Sequence, residues 1–205
     1  MKLEVPFVEN TSRGTDCGPV ALDMVLRYFG VEKELDEIRA ECLPEDDGVT
    51  WTAGLARAAA KFGFEAGFFS LVLGINEEHF EEAYYQEHTA GADAAKVKME
   101  QLVKDCRELG VSLSEKDFEL EELLSLLAED SLVIVLLDWN KITGKEGYQG
   151  HIVPIVGYDE RNVFVHDSGP GDARAFYAIP RDVFEKARTA KGTDEDVVVV
   201  KKVKV

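Results

Sequence analysis

The chain has 205 residues, 45% of them hydrophobic, and 40 acidic against 23 basic side chains give a formal charge of -17. This length predicts one domain over residues 1–205 with a real core. The negative balance argues against nucleic acid and anionic membrane as partners, because phosphates are repelled, and solubility explains it better than a specific basic partner does.

Cys17, Cys42 and Cys106 are an odd number at wide spacing with no CxxC pair. That pattern predicts neither a structural zinc site nor a disulfide framework, and it fits a reducing compartment. The first residues lack the apolar core of a signal peptide and no apolar run has transmembrane length, so a soluble cytoplasmic protein is expected.

In chain order, Leu3 to Val8 predicts a short extended segment that Pro6 keeps at an edge. A polar loop over Glu9 to Gly14 leads to Thr15-Asp16-Cys17-Gly18-Pro19 and the apolar run Val20 to Gly30. This is a buried helix, with Asp16 as N-cap, Pro19 in its first turn and Gly30 as its stop. Helical spacing follows over Glu34 to Cys42, then an acidic turn at Pro44 to Gly48, then an alanine-rich helix Trp51 to Phe62 capped by Thr50. Phe64 to Leu73 predicts a strand, Asn76 to Glu87 and Ala92 to Leu109 two amphipathic helices, Val111 to Leu113 a short strand and Phe118 to Ala128 a third helix. From Ser131 the texture changes. Leu132 to Leu137 predicts a fully buried strand, Lys141 to Gly147 a loop, and Ile152 to Tyr158, Asn162 to His166 and Ala173 to Ile179 further strands. Pro180 opens a helix to Thr189, and Val197 to Val205 predicts a last strand whose lysines mark an exposed edge. Helices before strands predict an α+β fold, with a mainly helical lobe over residues 1–130 packed on an antiparallel sheet over residues 131–205.

Cys17 stands at a helix N-terminus, where the positive dipole end favours the thiolate; the same residues also fit a small packed cysteine with no chemistry. Of four histidines, His79 and His88 lie on a polar helix and its end, and His166 ends a strand beside Asp167. His151 sits at the mouth of a rigid strand and can serve as acid and base to a thiol, unless it is merely accommodated there. Asp167, 16 residues on at the end of the neighbouring strand, can orient that imidazole if the two strands pair. His166 and Asp138 are the alternatives if they do not. Cys17 and His151 are 134 residues apart, within the roughly 130–150 of papain-like enzymes.

Asp16-Cys17-Gly18-Pro19 with Met24, Tyr28 and Gly30 resembles the cysteine box of the double-glycine leader peptidases that process bacteriocins. Gly150-His151, Gly157-Tyr158-Asp159 and Val165-His166-Asp167 resemble their histidine and aspartate boxes. Over almost the whole chain the sequence is similar to the guanylyl cyclase domain-containing proteins of plants and animals. Val5-Pro6, Trp51-Thr52, Leu73-Gly74, Tyr148-Gln149-Gly150-His151, Phe184 to Thr189 and Gly192-Thr193-Asp194-Glu195-Asp196 carry the likeness. No secondary-structure need dictates that last string.

The resemblance implies a papain-like cysteine proteinase fold and a Cys17–His151–Asp167 site for thiol acyl transfer on a peptide or small acyl substrate, with neither cofactor nor metal. Relatives place an oxyanion-donating glutamine six residues before the cysteine. Here that position is Thr11, and with one extra loop residue Asn10 takes the place. The family name implies GTP instead, yet the sequence has no P-loop, and Asp138, Asp159 and Asp167 have no spacing that demands a metal. A binding module that kept the fold without the chemistry is the third alternative.

Overall fold

The computed structural model describes residues 1–11, 14–43 and 49–203. The acidic turn expected at Pro44 to Gly48 lies outside them, as does Lys204.

The helical half opens with α1 (Cys17–Tyr28), buried from Gly18 to Leu26. A Cβ at Gly18 would sit 3.3–3.4 Å from Ile152, Leu55 and Thr50, so the cysteine end of α1 is wedged tightly into the molecule. The following helices are α2 (Leu35–Cys42) and the alanine-rich α3 (Thr52–Lys61). Two expected caps differ. Asp16 holds the N-cap position of α1 without bonding its N–H groups; its carboxylate instead accepts from Arg39 Nε and Nη2 of α2 at 2.9 and 2.6 Å. Trp51, not Thr50, is the N-cap residue of α3, and the Thr50 hydroxyl is buried without a hydrogen bond among the described residues.

After β1 (Glu65–Ser70), the single helix expected over Asn76 to Glu87 divides into a 3₁₀ turn (Glu77–Glu81) and α4 (Ala83–His88). Glu82 is extended between them, and the break accompanies the inward docking of Tyr85. Tyr85 stacks on Trp51 and Tyr148 and donates its hydroxyl to Gly192 O at 2.6 Å. Then come α5 (Ala92–Glu108), β2 (Ser112–Glu115) and α6 (Leu120–Ser125). The sheet-rich half contains β3 (Ser131–Asp138), α7 (Trp139–Thr143), β4 (Gly150–Tyr158), β5 (Asn162–Asp167), β6 (Arg174–Pro180), α8 (Arg181–Arg188) and β7 (Val197–Lys201). The one-turn α7 replaces the start of the expected loop at Lys141; Asp138 caps it by accepting from Asn140 N at 3.1 Å.

One seven-stranded sheet runs β2-β1-β7-β3-β4-β5-β6. Its pairs are antiparallel except β1 with β2. The expectation that the last strand is an exposed edge is overturned: β7 lies between β1 and β3, and Val197 to Val200 are buried. Lysine begins only at Lys201, where β7 runs out of the sheet's interior. The extended N-terminus makes a single bridge from Lys2 to Gly157, with Leu3 N donating to Val156 O at 2.8 Å, and forms no longer strand. Among the described residues no helix is long and apolar enough to cross a membrane.

Candidate active site

Three elements bring the expected residues together. The N-terminus of α1 carries Cys17, the second residue of β4 is His151, and the last residue of β5 is Asp167. Strands β4 and β5 pair directly, Ile155 opposite Val165. The carboxylate then reaches the imidazole, with His151 Nε2 and Asp167 Oδ1 3.0 Å apart. Nε2 therefore carries the proton toward Asp167, and Nδ1 is the ring nitrogen left for Cys17, whose side chain is hydrogen-bonded to the imidazole.

Electrostatics follow from these contacts. Burial opposes a thiolate at Cys17, but the hydrogen bond and positive charge of His151, with the backbone N–H groups of Ile152 and Gly18, outweigh it and hold the thiol below its ordinary value. Burial also opposes charge on His151; its bonds to Asp167 and Cys17 overcome that and raise it to about 9. Burial likewise works to raise Asp167, yet His151, the Gly169 N–H and Arg174 keep it below the usual carboxylate range. Such a site can hold a thiolate–imidazolium pair at neutral pH.

The alternative residues are occupied elsewhere. His166 donates from Nε2 to Val5 O at 2.8 Å and accepts at Nδ1 from Phe176 N at 3.0 Å, so both ring nitrogens tie backbone segments together. Asp138 accepts from Asn140 N and Gln149 N, both at 3.1 Å, and shapes the turn before β4. Asn10 is buried, and its backbone N–H donates to Ser168 O at 2.8 Å, one residue beyond Asp167.

Two neighbours escaped the sequence. Trp139 sets its ring edge-on to His151, centroids 4.6 Å apart, and packs against one side of the imidazole. Its signal was positional: it follows β3, whose Leu137 pairs with His151. Arg174 donates to Asp167 Oδ2 at 3.0 and 3.3 Å and stacks 3.6 Å above the Tyr177 ring. Its place opposite Asp167 in the β5–β6 register was invisible before the hairpin was known.

Cys17 sits where two cavities meet. The outer cleft is lined by His151, Asp167, Trp139, Gln149, His88 and Arg174. A narrower chamber runs inward, lined by Trp51, Thr50, Tyr85, His79, Asp194 and Asp196. Thr15, Cys17, Tyr84 and Gly150 border both.

Comparison with known proteins agrees with this architecture. A double glycine motif protease from an AMS/PCAT transporter, solved in complex with the leader peptide, superposes with a TM-score of 0.53 at 15% identity, covering 98% of this chain and 94% of that one. A C39-like peptidase from Bacillus anthracis superposes with a TM-score of 0.58 at 15% identity over 100% of both chains. The fold is therefore α+β and papain-like. Guanylyl cyclase 1 of Arabidopsis thaliana is 26% identical over 213 aligned residues, 97% of this chain and 76% of that protein. The sequence profile described as Guanylylate cyclase matches residues 8–200, nearly the whole of the sheet and both walls of the site, and the chain is a member of that family.

Proposed function

We propose that the chain is a cysteine hydrolase of peptidase type, one domain over residues 1–205, acting by thiol acyl transfer on a peptide or small acyl substrate. The observation that carries this reading is the single imidazole joined to Asp167 at 3.0 Å on one side and to the helix-terminal Cys17 on the other. The Cys17 thiolate attacks the substrate carbonyl. His151 gives its proton to the departing group, leaving an acyl-thioester on Cys17. A water molecule, deprotonated by the now neutral imidazole, then attacks the thioester and frees the acid and the thiol. Asp167 holds the imidazole's tautomer, and the Asn10 amide serves as an oxyanion donor. The leader-peptide complex of a protein with this fold supports a peptide as the occupant of the outer cleft.

Alkylation by iodoacetamide tests it. Cys17 should react faster than Cys42 and Cys106, which are buried; burial raises both, Cys106 to about 12. The Cys17 rate should rise at a pH below the ordinary thiol range and hold steady until His151 deprotonates near 9. In His151→Ala that early rise should vanish. Equal rates at the three thiols would overturn the reading.

The names of the family and of its Arabidopsis relative favour a second reading, nucleotide cyclisation. Among the described residues no three His, Cys, Asp or Glu side chains gather as a metal-holding group. Titration of GTP with magnesium into Cys17→Ala decides: binding and cyclisation that ignore the thiol would establish the cyclase reading over the hydrolase.

A further inference from the structure

The inner chamber has a chemistry of its own. Its floor is the loop Gly192-Thr193-Asp194-Glu195-Asp196, which precedes β7 and presents the side chains of Asp194 and Asp196. Asp196 is buried, and no Lys, Arg or His pairs with its carboxylate among the described residues. Its partners are the hydroxyls of Thr52 and Ser70. Asp194 faces His79 Nε2 at 3.3 Å. The walls are aromatic, with Trp51, Tyr85, Phe80 and Tyr148. Thr50, 7% exposed, lines the same chamber with a hydroxyl that no group of the described protein satisfies.

Two features show that this arrangement is imposed. Asp194 and Glu195 lie in the left-handed region, with φ of 46° and 54°, where side chains other than glycine are strained. The loop is nonetheless pinned. The Tyr85 hydroxyl donates to Gly192 O, the Thr193 hydroxyl donates to Arg188 O at 2.5 Å, and the fully buried Arg188 grips Glu195 and Glu185. Gly192, at φ 103°, has the Tyr148 ring so close that a Cβ would meet it at 2.8 Å. A buried carboxylate with hydroxyl partners but no cation, held this firmly in a cavity that the unsatisfied Thr50 hydroxyl also lines, points to a ligand.

We propose that the chamber is a recognition pocket for an alkylammonium group carried by the molecule on which Cys17 acts. This identification of the occupant as substrate rests on the hydrolase reading; the pocket itself does not. An ammonium has three N–H donors, and the chamber offers Asp196, Asp194 and the Thr50 hydroxyl as acceptors. Aromatic walls attract a desolvated cation through their faces. The narrow space favours a compact head over the broad fork of a guanidinium. The chain's charge of -17 raises the local concentration of cations around such a site. Burial raises Asp196 to about 7, and an ammonium bound beside it would bring that value back down by favouring the charged form.

Binding to Cys17→Ala, which removes the thiol from the question, tests the pocket directly. By NMR titration, n-butylammonium should bind at least tenfold more tightly than its neutral isostere n-butanol. Asp196→Asn should erase that preference while leaving n-butanol unchanged, and Thr50→Val should reduce it several-fold if Asp196→Asn does not fold. Nα-acetyl-lysine methylamide distinguishes sources: tighter binding than n-butylammonium identifies a peptide lysine, and equal binding a free amine. Equal affinity for the ammonium and the alcohol, or a preference that survives Asp196→Asn, would overturn the proposal. An unreactive Cys17 alongside selective ammonium binding would instead sink the hydrolase reading and leave the pocket standing.

Discussion

Two titratable side chains, Cys17 and His151, meet at the N-terminus of a buried helix and the start of a central strand, and each sets the other's charge. If they act as one unit, their losses should be grossly non-additive. Cys17→Ala and His151→Ala should each abolish turnover of an ester or peptide substrate, and the double variant should be no slower than either single one. Asp167→Asn should be milder, because it removes no reacting atom: one oxygen can still accept from the Gly169 N–H, while the imidazole's tautomer and the Arg174 bond are disturbed. Asn10→Ala should lose on the order of 10²-fold if its amide donates to the oxyanion. Steady-state rates on one substrate check the whole set. Full activity in Cys17→Ala would refute the assignment.

Among the elements, α2 and α3 pack tightly at Gly54. Gly54 lies on α3 where a Cβ would fall 2.2 Å from the Cys42 carbonyl oxygen at the end of α2. In an open helix, Gly→Ala would stabilise by roughly 0.5–1 kcal/mol. Here a rigid backbone atom fills the space, so Gly54→Ala should instead destabilise by about 1–3 kcal/mol, as overpacking does. Urea unfolding measures the sign, and a stabilised variant would show that α2 can shift. The contact matters to the site because α2 also carries Arg39, which clamps Asp16 beside Cys17.

For the whole molecule, the chamber sets recognition against stability. Asp196 is raised from 3.8 to about 7, so the folded state binds its proton more tightly than the unfolded chain does. That contribution is fully present below the unfolded value and is lost as pH rises through about 7. Asp196→Asn removes the dependence and keeps groups able to bond Thr52 and Ser70. It should therefore leave stability nearly unchanged at pH 4 and raise it at pH 8 by up to about 4 kcal/mol, from 1.36 kcal/mol per pKa unit. Thermal unfolding at the two pH values checks this, and an equal effect at both would refute the raised carboxylate.

The sequence by itself was enough for α1, from a run apolar on nearly every face apart from Asp23 and Arg27 and from its proline and glycine, and for β3, from Leu132 to Leu137, because local periodicity and burial fix such elements. It also singled out Cys17, His151 and Asp167 as one cluster, since the spacing and the local boxes survive without coordinates. Tertiary structure alone decided what depends on neighbours distant in the chain. The Val197 to Val200 strand reads the same at an edge or at the centre, and only the partners β1 and β3 place it inside. Asp16 has the chemistry of a helix cap, but a guanidinium from another helix was the stronger partner. Thr50 likewise looks like a cap until the helix starts one residue later and leaves its hydroxyl without a hydrogen bond among the described residues. The Gly192 to Asp196 string carried kinship without meaning, because nothing local requires it. Its purpose lies in side chains from β1, α3 and α4 that close around two carboxylates, and such convergence has no periodicity to read.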